Sequence, residues 1–127
     1  MTQQQKPTAS ELEILQVLWT RGPSTVRDVH ESIREKKDLG YTSVLKLLQI
    51  MNDKGLVRRD EGQRAHVYEA CQPAEKTKRQ LALDMIQRVF DGSASELMLH
   101  ALAGRKGSRE EIDELRRMLD EYERNAQ

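Results

Sequence analysis

Few residues in this sequence have the types and spacing that bond-making chemistry requires. The histidines are His30, His66 and His100, and the one cysteine is Cys71. Metal sites gather several Cys, His or carboxylate ligands at short spacings, and His30 has no cysteine or second histidine at such a distance. A lone cysteine also excludes an internal disulfide framework. His66 falls in a strand where alternation sets it with Tyr68, opposite Val67, and His100 stands alone on a late helix. No Ser/His/Asp, Cys/His or paired-carboxylate set has supporting context, and no glycine-rich phosphate loop occurs. The sequence therefore reads as a non-enzyme that takes no metal and no cofactor.

What remains is cationic and polar chemistry suited to phosphates and base edges. Between Lys36 and Arg64, the residues Lys36, Lys37, Lys46, Lys54, Arg58, Arg59 and Arg64 exceed Asp38, Asp53, Asp60 and Glu61 by three positive charges. Over the whole chain 21 basic residues balance 21 acidic ones, so the bias is local. Distribution matters more than the sum when a charged partner is sought.

The elements that must position these side chains follow from periodicity. Val44, Leu47, Leu48 and Met51 fall at helical spacing, which predicts a helix starting near Thr42 with one apolar face turned inward. Its other face carries Ser43, Lys46 and Gln49, with Thr42 at its start able to bond a phosphate. Gly55 suits the residue after a helix end, where positive φ is favoured. Two short strands, Leu56–Asp60 and Ala65–Ala70, are separated by Glu61, Gly62, Gln63 and Arg64, the composition of a hairpin turn. A helix suited to a DNA major groove, followed by a hairpin with Arg58, Arg59 and Arg64 near the backbone, is the winged-helix arrangement. The expected DNA-binding set is Thr42, Ser43, Lys46, Gln49, Lys54, Arg58, Arg59 and Arg64.

Upstream, Thr8-Ala9-Ser10-Glu11 matches a capping box and starts a first helix whose stripe is Leu12, Leu15, Leu18 and Trp19. Arg21-Gly22-Pro23 ends it. A cap at Ser24 or Thr25, with Asp28 in the first turn, opens a short second helix on Val26, Val29 and Ile33, which completes a helix-turn-helix with a long turn. No apolar run approaches the ~20 residues of a membrane span, and MTQQQKPT lacks the apolar core of a secretory signal. The expected location is the cytoplasm, without membrane insertion.

Gln72-Pro73 divides the chain into a winged-helix DNA-binding domain, residues 1–72, and a helical dimerisation domain, residues 73–127. In the tail, Ala82, Met85, Ile86, Val89 and Phe90 recur at helical spacing as far as Asp91-Gly92. Ser93 caps a short helix around Leu97, Leu99 and Leu102. Ser108-Arg109-Glu110-Glu111 is a further capping-box match, ahead of a last stripe of Ile112, Leu115, Leu119 and Tyr122. Three such helices hold too little apolar bulk for a core of their own. Their economical partner is a second copy, with Phe90, Leu97, Leu99, Leu102, Leu115 and Leu119 at the interface and a pseudo-palindromic double-stranded operator as target. The fold class expected is mainly α with a small β-hairpin. A winged helix serving as a protein-interaction module without specific DNA binding is the alternative that near-zero net charge permits.

Nearly end to end, the chain resembles the penicillinase repressor (BlaI/MecI) family of bacterial transcriptional regulators. The resemblance rests on SELEILQVLW, STVRDVHESI, GYTSVLKLLQIMNDKGLVRR, FDGSASELMLHAL and EEIDELRRML. It implies a dimeric winged-helix repressor of β-lactamase or related antibiotic-resistance genes. It also implies a membrane-bound sensor protease that relieves repression by cutting the dimerisation domain. Well-known members are cut between Asn and Phe, and the pair aligned here is His100-Ala101. The copper-responsive branch carries paired cysteines that this chain lacks, so copper sensing is not expected.

Overall fold

The computed structural model describes residues 6–62 and 64–126. Met1 to Gln5 and Gln63, to which the readings of the leading segment and the hairpin turn extend, lie outside the described residues, as does Gln127. The chain begins with α1 (Ala9–Arg21), β1 (Ser24–Thr25), α2 (Val26–Ile33) and α3 (Tyr41–Lys54). The hairpin β2 (Val57–Asp60) and β3 (Val67–Ala70) follows, then α4 (Ala74–Val89), α5 (Ala94–Ala103) and α6 (Arg109–Asn125).

Local hydrogen bonding sets the helix starts. Thr8 Oγ1 accepts from the Glu11 amide at 3.2 Å while Glu11 Oε1 accepts from the Thr8 amide at 2.9 Å, a complete capping box. Thr25 and Asp28 form a second one, with both bonds at 3.1 Å, so Thr25 rather than Ser24 caps α2. Gly22 and Gly55 end α1 and α3 with φ of 89° and 84°, a region that a side chain makes costly. Helix α3 starts one residue before the expected Thr42, with Gly40 as its N-cap and no side-chain cap bond.

The core of this half is formed by the facing stripes of α1, α2 and α3 with Leu56, Val57 and Tyr68. The α1 stripe is Glu11, Ile14, Leu15 and Leu18; Leu12 and Trp19, expected in it, are half-buried at its flanks. Trp19 still anchors, donating its indole N–H to the Gln72 carbonyl at 2.9 Å. The sheet is antiparallel with order β1-β3-β2. Its third strand, β1, was not expected: a two-residue segment shows no alternation, and Ser24 and Thr25 pair with Tyr68 and Val67 across the fold. The hairpin strands are shorter than read, so His66 precedes β3 and is exposed, whereas Tyr68 is wholly buried. Three helices with this sheet make a winged helix.

By its internal contacts the chain divides between Ala82 and Leu83, inside α4, beyond the Pro73 that marks the boundary in the sequence. In the later unit, Ser93 Oγ and Ser108 Oγ each accept a first-turn amide at 3.1 Å, starting α5 and α6 where their sequences predict. The second half of the Ser108 capping box does not form, and Glu111 Oε2 pairs with Arg105 at 3.2 Å. No side chain of α5 or α6 is buried. Among the described residues, no helix is long and apolar enough to cross a membrane and no group of three potential ligands could hold a metal ion.

Candidate nucleic-acid interface

Helix α3 is two-faced. Val44, Leu48 and Met51 are fully buried, Leu47 is half-buried, and the opposite side exposes Thr42, Ser43, Lys46, Gln49 and Ile50. With 14 residues the helix is about 21 Å long, sufficient to lie along a major groove. The apolar row holds it against α1 and α2, and the exposed row presents two hydroxyls, an amide and an ammonium to solvent. A glutamine amide can bond adenine through two atoms, and hydroxyls and lysine bond either base edges or phosphates. At the helix start Tyr41 stands edge-on to His30, with ring centroids 6.0 Å apart at 80°. That contact accounts for His30 as a residue at the rim of the core.

The eight residues assembled from the sequence occupy three environments. Thr42, Ser43, Lys46, Gln49 and Arg64 are exposed. Arg58 is exposed too, but its guanidinium bonds Glu69, its cross-strand neighbour, at 3.1 Å. Arg59 lies on the inner side of β2, opposite the buried Tyr68, and its guanidinium pairs with Glu61 at 3.4 Å. Its Nε and the Tyr68 hydroxyl are both buried, and the Tyr68 hydroxyl acts with Glu61 to favour the charged guanidinium.

Lys54 is turned inward. Its ammonium donates to both oxygens of Glu11, at 2.8 and 3.0 Å, and its side chain is 20% exposed. Glu11 is 2% exposed. Burial acts to raise the Glu11 carboxyl, but the bonds from Lys54 and the Thr8 amide outweigh it and hold the group below its ordinary range. Sequence reasoning placed Glu11 in a cap and Lys54 among DNA-facing cations, and missed their pairing. A signal was present: Glu11 stands three, four and seven residues before Ile14, Leu15 and Leu18, on the buried face, where a carboxylate demands a cation.

The tail residues expected at a dimer interface are distributed on the later helices. Phe90, Leu97 and Leu115 are half-buried, while Leu99, Leu102 and Leu119 are exposed. The Phe90 and His100 rings lie 5.6 Å apart, and Ala101 is exposed beside His100 within α5.

The family model described as "Penicillinase repressor" matches residues 7–121. The chain is 34% identical over 114 residues to the transcriptional regulator BlaI of Mycobacterium tuberculosis, covering 89% of this chain and 82% of that one. It is 22% identical over 113 residues to the methicillin resistance regulatory protein MecI of Staphylococcus aureus, covering 89% and 92%. Among solved structures, the DNA-binding domain of the repressor BlaI superposes with a TM-score of 0.52 at 18% identity, over 58% of this chain and 90% of that one. Bacillus licheniformis BlaI in complex with the blaP half-operator gives a TM-score of 0.51 at 17% identity, over 59% and 92%. These two likenesses carry the winged-helix fold, while the sequence matches extend through most of the tail. From the match over residues 7–121 and the identity with BlaI, the chain belongs to the penicillinase repressor family, a family of DNA-binding transcriptional repressors and not of enzymes.

Proposed function

We propose that this chain is a dimeric repressor that reads a pseudo-palindromic operator with the exposed row of α3 and represses β-lactamase or related resistance genes. The observation that carries the reading is the two-sided build of α3, in which buried Val44, Leu48 and Met51 back an outward row of Ser43, Lys46 and Gln49. Thr42 at the helix start bonds phosphate, and Arg64, Arg58 and Arg59 of the hairpin supply cationic charge beside the backbone. The apolar side chains left exposed on the later helices support a second copy as partner. Relief of repression follows from a sensor protease in the membrane cutting at His100-Ala101, which separates α6 from the rest of the tail.

The test is fluorescence anisotropy on duplexes from upstream of the chain's own gene, across a salt series. The Ser43/Lys46/Gln49 triple alanine variant is expected to lose at least tenfold in operator affinity while staying folded. Lys46→Ala alone lowers the salt slope by about one if it meets a phosphate. Full operator affinity in the triple variant removes α3 as the reading element.

A further inference from the structure

We propose that the Lys54–Glu11 pair sets the rotation of α3 for base reading, and that Lys54 is a positioning residue and not a DNA contact. The proposal rests on the reading of α3 as the element that meets the operator.

Besides the edge-on Tyr41–His30 contact at its start, two kinds of interaction hold α3 to its scaffold. The apolar row is non-directional and tolerates a small turn of the helix about its axis. The tie from Lys54 to Glu11 is directional, with one ammonium meeting both carboxylate oxygens at 2.8 and 3.0 Å. Glu11 is in turn fixed by the capping box, through the Thr8 amide on Oε1 and the Thr8 hydroxyl on the Glu11 amide. The end of α3 is thus pinned to the first turn of α1. A turn of ~20° would move side-chain tips about 2 Å at the surface radius of a helix, enough to break a base-edge hydrogen bond.

The location of the pair argues for geometry over stability. Glu11 occupies a core position of the α1 stripe, where an apolar side chain avoids the cost of burying charge, and replacing a buried pair by packed apolar residues is often neutral or stabilising. Lys54 is also the last residue of α3, followed by Gly55 in its left-handed conformation and then by Leu56 and β2. One ion pair therefore stands at the joint between the helix that reads bases and the hairpin that follows it.

The experiment compares the full chain with three variants on operator and scrambled duplexes, across salt and well below each melting midpoint measured by circular dichroism. Removing Lys54 alone leaves a buried charge and risks unfolding, so the decisive variant is Glu11→Leu/Lys54→Met, which strands no charge and leaves net charge unchanged. It is expected to bind operator about tenfold more weakly, with affinity for scrambled DNA and the salt slope as in the parent. Lys54→Arg, which can still bond the carboxylate, is expected to keep operator affinity. Glu11→Gln, although it removes a negative charge, is expected to weaken operator binding. A fall on both duplexes with a slope lower by about one makes Lys54 a phosphate contact and overturns the proposal. Unchanged operator affinity in the double variant overturns it as well. If the parent chain does not distinguish operator from scrambled DNA, the function reading fails first and this proposal falls with it.

Discussion

Glu11 and Asp28 have carboxyl groups that the fold holds below their ordinary values of 4.5 and 3.8. At Glu11, burial opposes the shift and the bonds from Lys54 and Thr8 overcome it. At Asp28 the Thr25 amide and hydroxyl cause it, against a small opposing effect of burial. A carboxylate favoured in its charged form by folding contributes stability that is present above its unfolded value and lost as pH falls through the lower folded one. The winged helix is therefore expected to lose stability below about pH 4.5. Urea titrations of the parent and Glu11→Gln from neutral pH to about pH 3 should show a stability difference that shrinks as the pH falls. A difference constant across that range would mean that the charged carboxylate adds nothing to folding. The exposed pairs Arg58–Glu69 and Arg105–Glu111 carry little of this dependence, since solvent-screened ion pairs contribute about 0–1 kcal/mol.

Helices α5 and α6 have correct caps and no buried side chains, which makes them elements that start properly and lack a core. A helix of 10 residues such as α5 is marginal in water by itself, because most helical stability comes from packing of an apolar face. Leu99 is 67% exposed, Leu119 52% and Tyr122 74%, and since full burial of a fully exposed leucine contributes about 1.5–3 kcal/mol, covering each leucine would contribute a part of that. A chain ending at His100 loses α6 and the end of α5. On the proposed reading the full chain is expected to sediment as a dimer and the shortened chain as a monomer that binds operator at least tenfold more weakly. A dimer of unchanged affinity would move the holding contact upstream of His100.

At the scale of the whole molecule, the dimer proposed above would draw its affinity from joining two modest contacts. A single winged helix presents one reading helix, and linking two copies makes the second encounter effectively intramolecular, a gain of about 10²–10⁴. The full chain should accordingly bind a complete operator at least a hundredfold more tightly than a half-site duplex of the same length. Equal affinities would show that one copy suffices and that the apolar side chains of the tail serve something other than avidity. On the proposed reading, a cut at His100-Ala101 would leave every α3 contact intact and remove only the linkage between copies.

By itself the sequence determined what is encoded within about one helical turn. Thr8, Thr25, Ser93 and Ser108 bond amides three residues ahead, and Gly55 ends α3 where a positive φ is required, so helix starts were legible to within a residue, with Ser24 and Thr25 open as caps of α2, and so was the exposed row of α3. The phrases shared with the penicillinase repressors carried the family. Only the tertiary structure decided what depends on distant neighbours. Ser24 and Thr25 become a strand because Tyr68 and Val67 lie alongside. Lys54, one cation among seven by sequence, is withdrawn from solvent by Glu11, 43 residues away. Periodicity ranks a residue by its own helix, whereas its partner is chosen by the packing of several, and that choice is made only once the chain has folded.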